Sequence, residues 1–129
     1  MFKIEAIQDK ENQERFAKAC GTASVDGYFA YAMYNVETNA PMGFAQFDIN
    51  GEIGHIIDLK EAVGLSDFEA MFILGRSTMN FIDMCGAHIA TAAIDAGAPS
   101  LLKAIGFKEN DSGYFCDMTG FFDGNCGNH

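Results

Sequence analysis

Glu52-Ile53-Gly54-His55-Ile56-Ile57-Asp58-Leu59-Lys60, Ser66-Asp67-Phe68-Glu69 and His88-Ile89-Ala90-Thr91-Ala92-Ala93-Ile94 are the stretches whose reading decides the fold. In the first, strict alternation places Ile53, His55, Ile57 and Leu59 on one face. Glu52, Gly54, Ile56, Asp58 and Lys60 fall on the other. One face is continuously apolar, so a helix is expected to cover it. The second stretch reads as a capping box, with Ser66 as cap and Glu69 reaching back. It opens a helical pattern of Phe68, Met71, Phe72, Gly75, Met79 and Ile82 that runs to about Gly86. Ile73, Leu74 and Phe81 lie partly off that stripe, which predicts a second contact for the helix, from the C-terminal tail or another subunit. The third stretch is a short apolar strand. Strand, long helix, strand implies a parallel pair joined by a right-handed crossover.

Working outward, Met1 to Ile7 reads as a first strand, and Asp9 can cap a charged helix that Gly21 ends after about Cys20. Tyr28 to Val36 and Pro41 to Asn50 form a hairpin around Glu37-Thr38-Asn39-Ala40, and Asn50-Gly51 turns the chain into the strand already described. Beyond it, Ala98 to Ile105 reads as a short helix ended by Gly106, and Gly113 to Met118 as a last strand. The expected fold class is therefore α/β (α+β): a mixed, mostly antiparallel sheet with one parallel pair joined by a long helix, and helices on both faces. No linker or repeat interrupts residues 1–119, which read as one domain, with 120–129 as a tail.

At 129 residues, 49% of them hydrophobic and 20% charged, the chain can bury one sizeable core. A formal charge of −10 repels phosphate backbones and anionic lipid, so neither nucleic acid nor membrane is an expected partner. A narrow anion seat built from backbone amides stays compatible with that charge. The start shows no signal-peptide pattern and no stretch has membrane-spanning length, which gives a cytoplasmic expectation. Cys20, Cys85, Cys116 and Cys126 are irregularly spaced and read as reduced thiols.

The order of elements over residues 1–119 resembles the GCN5-related N-acetyltransferase (GNAT) fold. The local match is Asp95-Ala96-Gly97-Ala98-Pro99-Ser100-Leu101-Leu102-Lys103-Ala104-Ile105-Gly106-Phe107, similar to the family's stretch after its fifth strand. The resemblance implies an acyl-CoA-dependent N-acyltransferase, using acetyl-CoA or coenzyme A, on a small amine acceptor that the sequence does not identify. It implies coenzyme contacts from Leu59, Ala62, Val63, Gly64, Leu65, Ser66 and Asp95. The family's loop before the long helix has the form Arg/Gln-x-x-Gly-x-Gly/Ala; here Glu61-Ala62-Val63-Gly64-Leu65-Ser66-Asp67-Phe68 keeps one glycine, has no Arg or Gln, and places Glu61, Asp67 and Glu69 nearby. The family's tyrosine acid falls on Leu102 and its asparagine on Asp95, leaving Tyr114 as the substitute acid and Asp58 as the candidate base. The alternative is a non-catalytic ligand-binding or protein-interaction module on the same scaffold, with the apolar surplus of the long helix as a homodimer surface.

Each candidate has a plainer reading beside it. His55 and Asp58 alternate to opposite faces, and Asp58 is preferred because it shares a face with Gly54; a structural role is the default for either. Cys116, Cys126 and His129 offer thiols and an imidazole to a metal, with His55, His88 or Asp123 as a fourth ligand, but glycine-rich tails usually fray, so no metal site is assigned. Tyr28, Phe29, Tyr31, Tyr34, Phe44 and Phe47 could line an acceptor pocket, although strand aromatics more often form core. Cys85 has nothing basic adjacent and reads as a buried thiol.

Overall fold

Gly51 turns the chain with φ 65°, a conformation that residues with a Cβ avoid, and this fixes the two strands flanking it in register. They are β3 (Pro41–Asn50) and β4 (Ile53–Glu61), at the centre of a sheet in a computed structural model that describes residues 1–122. Ahead of them come β1 (Phe2–Ala6), α1 (Lys10–Ala19) and β2 (Phe29–Asn35). After them come α2 (Phe68–Met84), β5 (Ile89–Ala92), α3 (Pro99–Ile105), β6 (Lys108–Asn110) and β7 (Gly113–Asp117). The strand order is β1-β2-β3-β4-β5-β7-β6, antiparallel throughout except for the parallel pair β4–β5. The expected mixed sheet with one parallel pair is thus present. β6 is absent from the sequence reading because Lys108, Glu109 and Asn110 are all exposed and carry no apolar period.

Helices pack on both faces. Phe16, Ala17 and Cys20 of α1 and its cap bury against Ala30, Ala32 and Phe44 on one side. On the other, α2 lays Met71, Leu74, Met79 and Ile82 over Met33, Phe47, Ile56 and Leu59, and α3 adds Leu101, Leu102 and Ile105 beside it. Each of these large side chains stabilises the fold by roughly 1.5–3 kcal/mol when fully withdrawn from water. Close fits set the spacing: a Cβ on Gly54 would lie 2.4 Å from Ile82, and one on Gly75 would lie 2.8 Å from Ile105.

The faces of β4 differ from simple alternation. Pairing with β3 slips between Gln46 and Phe47, so that Gln46 opposes Asp58 while Phe47 opposes Ile56 and Ile57 is left over. This β-bulge inverts the parity of everything after it. Gly54, Ile56 and Leu59 all face α2, whereas His55 and Asp58 share the opposite face. The grouping of Leu59 with Ile53, His55 and Ile57 is therefore corrected, as is that of Asp58 with Gly54. α2 covers the other face of the strand from the one expected. The helix cap is corrected too: Asp67, not Ser66, is the N-cap, its side chain accepting from the Ala70 amide at 3.1 Å. Among the described residues, no helix is long and apolar enough to cross a membrane.

Candidate functional site

β4 and β5 pair for four residues, Ile53 to Ile56 against Ile89 to Ala92, and then diverge. Past the divergence, α2 and α3 both begin, and a groove of about 310 Å³ opens between Leu59, Lys60, Glu61, Ser66, Gly97 and Ala98. This is where the resemblance places the coenzyme. Leu59, Ser66 and the segment following Asp95 do border it, so the topology brings that part of the expected set together.

The groove's hydrogen-bonding groups are largely engaged by the chain itself. The Leu59 amide donates to the Ala96 carbonyl at 2.7 Å, and Gly97 sits so close that a Cβ there would be 2.5 Å from the Leu59 oxygen. Of the loop amides expected to hold a pyrophosphate, Ala62 donates to Met42, Val63 to Ala19 and Leu65 to Ala62. At the α2 N-terminus, Glu61 accepts from the Asp67 amide at 2.6 Å and Asp67 accepts from the Ala70 amide. Two carboxylates of the chain therefore occupy the positive end of the helix dipole, where an anion would otherwise be favoured. Lys60 Nζ donates to the Asp95 carbonyl, which ties this cation of the groove wall to backbone. The Cys20 thiol, in the α1-side core with Ala62, is pushed up to about 12, by burial first and then by the charges of Glu61 and Asp58. The residues present do not fit a coenzyme A pyrophosphate.

Asp58 lies away from the groove, on the α1 face. It is 7% exposed, and one carboxylate oxygen accepts from Gln46 Nε2 at 2.9 Å and from Thr22 Oγ1 at 3.1 Å. Gln46 in turn receives the Val25 amide and donates to the Ala23 carbonyl, so the cluster pins residues 22–25 onto the sheet. Burial raises the Asp58 carboxyl; the two hydrogen bonds and Lys60 partly offset that. His55, on the same face, bonds Thr91 Oγ1 at 2.7 Å across the parallel pair. Tyr114 faces α2 and is 3% exposed, packed edge-on to Phe107 with ring centroids 6.5 Å apart. Neither Tyr114 nor Asp58 borders the groove, and Asp95 is exposed with only its carbonyl engaged nearby. Leu102 is fully buried.

A larger recess, about 600 Å³, lies at the β1–β2 end of the sheet on the α2 side. Phe29, Tyr31, Phe47 and Phe81 form its floor, with ring centroids 5.6–6.1 Å apart, and Gln8, Gln13 and the Lys10–Asp26 ion pair stand at its rim. Of the six aromatics considered for an acceptor pocket, Phe44 belongs to the opposite core and Tyr34 packs on Phe16, while the other four, Tyr28, Phe29, Tyr31 and Phe47, line the recess. Phe81 also reaches the recess, and its displacement from the main stripe of α2 is the sequence signal for it. Cys85 is exposed rather than buried, because it caps α2 outside the core. No group of His, Cys, Asp or Glu among the described residues is arranged to hold a metal, and Asp123, Cys126 and His129 lie outside them.

No family model matches the chain, and no curated protein matches it. Solved structures do. A variant of spermidine N-acetyltransferase SpeG from Vibrio cholerae superposes with a TM-score of 0.71 at 8% identity, covering 95% of this chain and 96% of that one. The ribosomal-protein-S18-alanine N-acetyltransferase of Escherichia coli gives 0.66 at 10% identity, covering 89% of each. The IAA acetyltransferase of Bacillus cereus gives 0.65 at 13%, covering 86% of this chain and 79% of that one. At such identities the likeness is one of fold: the chain has the architecture of the GNAT acetyltransferases.

Proposed function

We propose that this GNAT-fold chain is a small-ligand-binding module that does not use coenzyme A. The observation that carries this reading is the self-engagement of the α2 N-terminus and of Leu59: Glu61 accepts from the Asp67 amide, Asp67 from the Ala70 amide, and Leu59 donates to Ala96. Binding there would have to break the Leu59–Ala96 bond and bring a pyrophosphate against two carboxylates. The aromatic recess is the seat this reading prefers. Its ring-lined floor and the net charge of −10 suit an amine with an apolar body.

Thermal denaturation with acetyl-CoA and with free coenzyme A tests the reading, since a ligand selective for the native state raises stability by mass action. No shift is expected up to about 1 mM, a concentration at which even millimolar affinity registers. A saturable rise that is lost on replacing Gly64 with a bulky residue would overturn it. The second reading, an acyl-CoA-dependent N-acyltransferase acting on a small amine, is favoured by the surviving groove at the divergence of β4 and β5. It predicts that saturable rise together with thiol release from acetyl-CoA in the presence of an amine.

A further inference from the structure

The outer surface of α2 is apolar at its middle and charged at two points. Phe72 and Ile73 lie side by side there, with Ile73 45% exposed, and Phe68 one turn earlier is 52% exposed. Phe2 and Phe122 border the same surface from either side. Glu69 and Arg76 flank the apolar centre. They are seven residues apart, which puts them on nearly one line along the helix and about 10.5 Å apart axially. Neither belongs to an ion pair among the described residues. Arg76 donates through Nε to the Ile105 carbonyl at 2.9 Å and lies over the rings of Phe72 and Phe121, which orients its guanidinium without supplying a carboxylate.

We propose that this surface is a homodimer interface in which two copies of α2 pack antiparallel about a two-fold axis passing between Phe72 and Ile73. An isologous contact must be self-complementary, and the spacing here is. With that axis, Glu69 faces Arg76 of the partner subunit and Phe72 faces Ile73 of the partner subunit, so both opposite-charge pairs form around a shared apolar centre. A parallel pairing would set Glu69 against its own copy and Arg76 against its own copy. The charges therefore select the antiparallel arrangement. The near-antiparallel crossing of about 20° common to packed helices would keep the pairs in reach. The interface does not involve the residues that line the recess.

Sedimentation velocity on the full chain tests this. At about 100 µM the protein is expected to sediment as a dimer that dissociates on dilution and with added salt. Glu69→Arg and Arg76→Glu should each be monomeric, because each brings like charges together. An equimolar mixture of the two should recover the dimer, since both pairs are again of opposite sign only in the mixed species. Arg76 also ties α2 to the end of α3, so circular dichroism must show that Arg76→Glu folds. If it does not, Ile73→Asp, at an exposed position, takes its place and should likewise be monomeric with an unchanged spectrum. A wild-type chain that is monomeric at this concentration overturns the proposal. So does a dimer indifferent to Glu69→Arg and Ile73→Asp, or a mixture that fails to recover it.

Discussion

At the scale of single residues, Asp58 shows how one identity can carry two roles that only its surroundings separate. Its carboxylate is buried and twice hydrogen-bonded, and burial raises its pKa from the ordinary aspartate value. A carboxyl raised in the folded state binds its proton more tightly there than in the unfolded chain. Stability attributable to it is thus largest in acid and falls as pH rises through the window between its unfolded and folded pKa values. Asp58→Asn removes that titration and keeps an oxygen to accept from Gln46 and Thr22. The variant is expected to be at least as stable as wild type at neutral pH, with its advantage shrinking toward about pH 4. Melting temperatures of the two proteins across that range check this; a wild type that gains on the variant as pH rises would contradict it. The sequence marked Asp58 as worth attention by residue type alone. The face it occupies was misread, because the bulge at Ile57 depends on pairing with β3, and no local pattern announces it.

At the scale of elements, the start of α2 joins a correct expectation to a misplaced detail. The helix, its apolar stripe and its acidic first turn were legible, since propensity and periodicity are properties of neighbouring residues. The cap was not, because Ser66 and Asp67 both have side chains able to accept from the first amides. The choice between them fell to Glu61, whose carboxylate takes the Asp67 amide and holds the loop one residue further on. Asp67→Ala should accordingly cost about 1 kcal/mol, while Ser66→Ala should change stability by only a few tenths. Chemical denaturation of the two variants compares them directly, and a larger loss at Ser66 would restore the capping-box reading. The same pair of carboxylates explains why a GNAT-like framework can hold a helix N-terminus at the usual place and yet present little positive potential there.

At the scale of the whole molecule, the described part of the tail closes the α2 side of the fold. Phe121 sits over Arg76, against the residue that ends α3, and beside Cys116 on β7; a Cβ on Gly106 would lie 2.8 Å from its ring. Gly106 is needed there twice, for its φ of 128° and for the space its missing side chain leaves. Phe121→Ala is expected to destabilise the protein by about 2 kcal/mol, less than a fully buried phenylalanine would because the ring is only half-buried. Phe115→Ala, on the open face of β7 and 41% exposed, should cost distinctly less. Equal losses in thermal melts would remove the clamp role. Of the residues off the main stripe of α2, Leu74 is covered by the sheet and Phe81 by the hairpin aromatics, while Phe122 borders Ile73, which stays 45% exposed.

What the sequence determined by itself were quantities summed along short windows: the helices, six of the seven strands among the described residues, their succession along the chain, the parallel pair and the net charge of −10. Those follow from local periodicity, caps and turns, each encoded within a few residues. Tertiary structure alone decided the register slip on β4, and with it the faces of Asp58 and His55. It also decided the pairing of β6, the bond from Leu59 to Ala96 beside the groove, and the gathering of Phe29, Tyr31, Phe47 and Phe81 around one recess. The physical reason is common to them. Each depends on groups brought together by cross-strand and helix-to-sheet packing, and a one-residue shift in that packing exchanges the faces of a strand while leaving its local pattern unchanged.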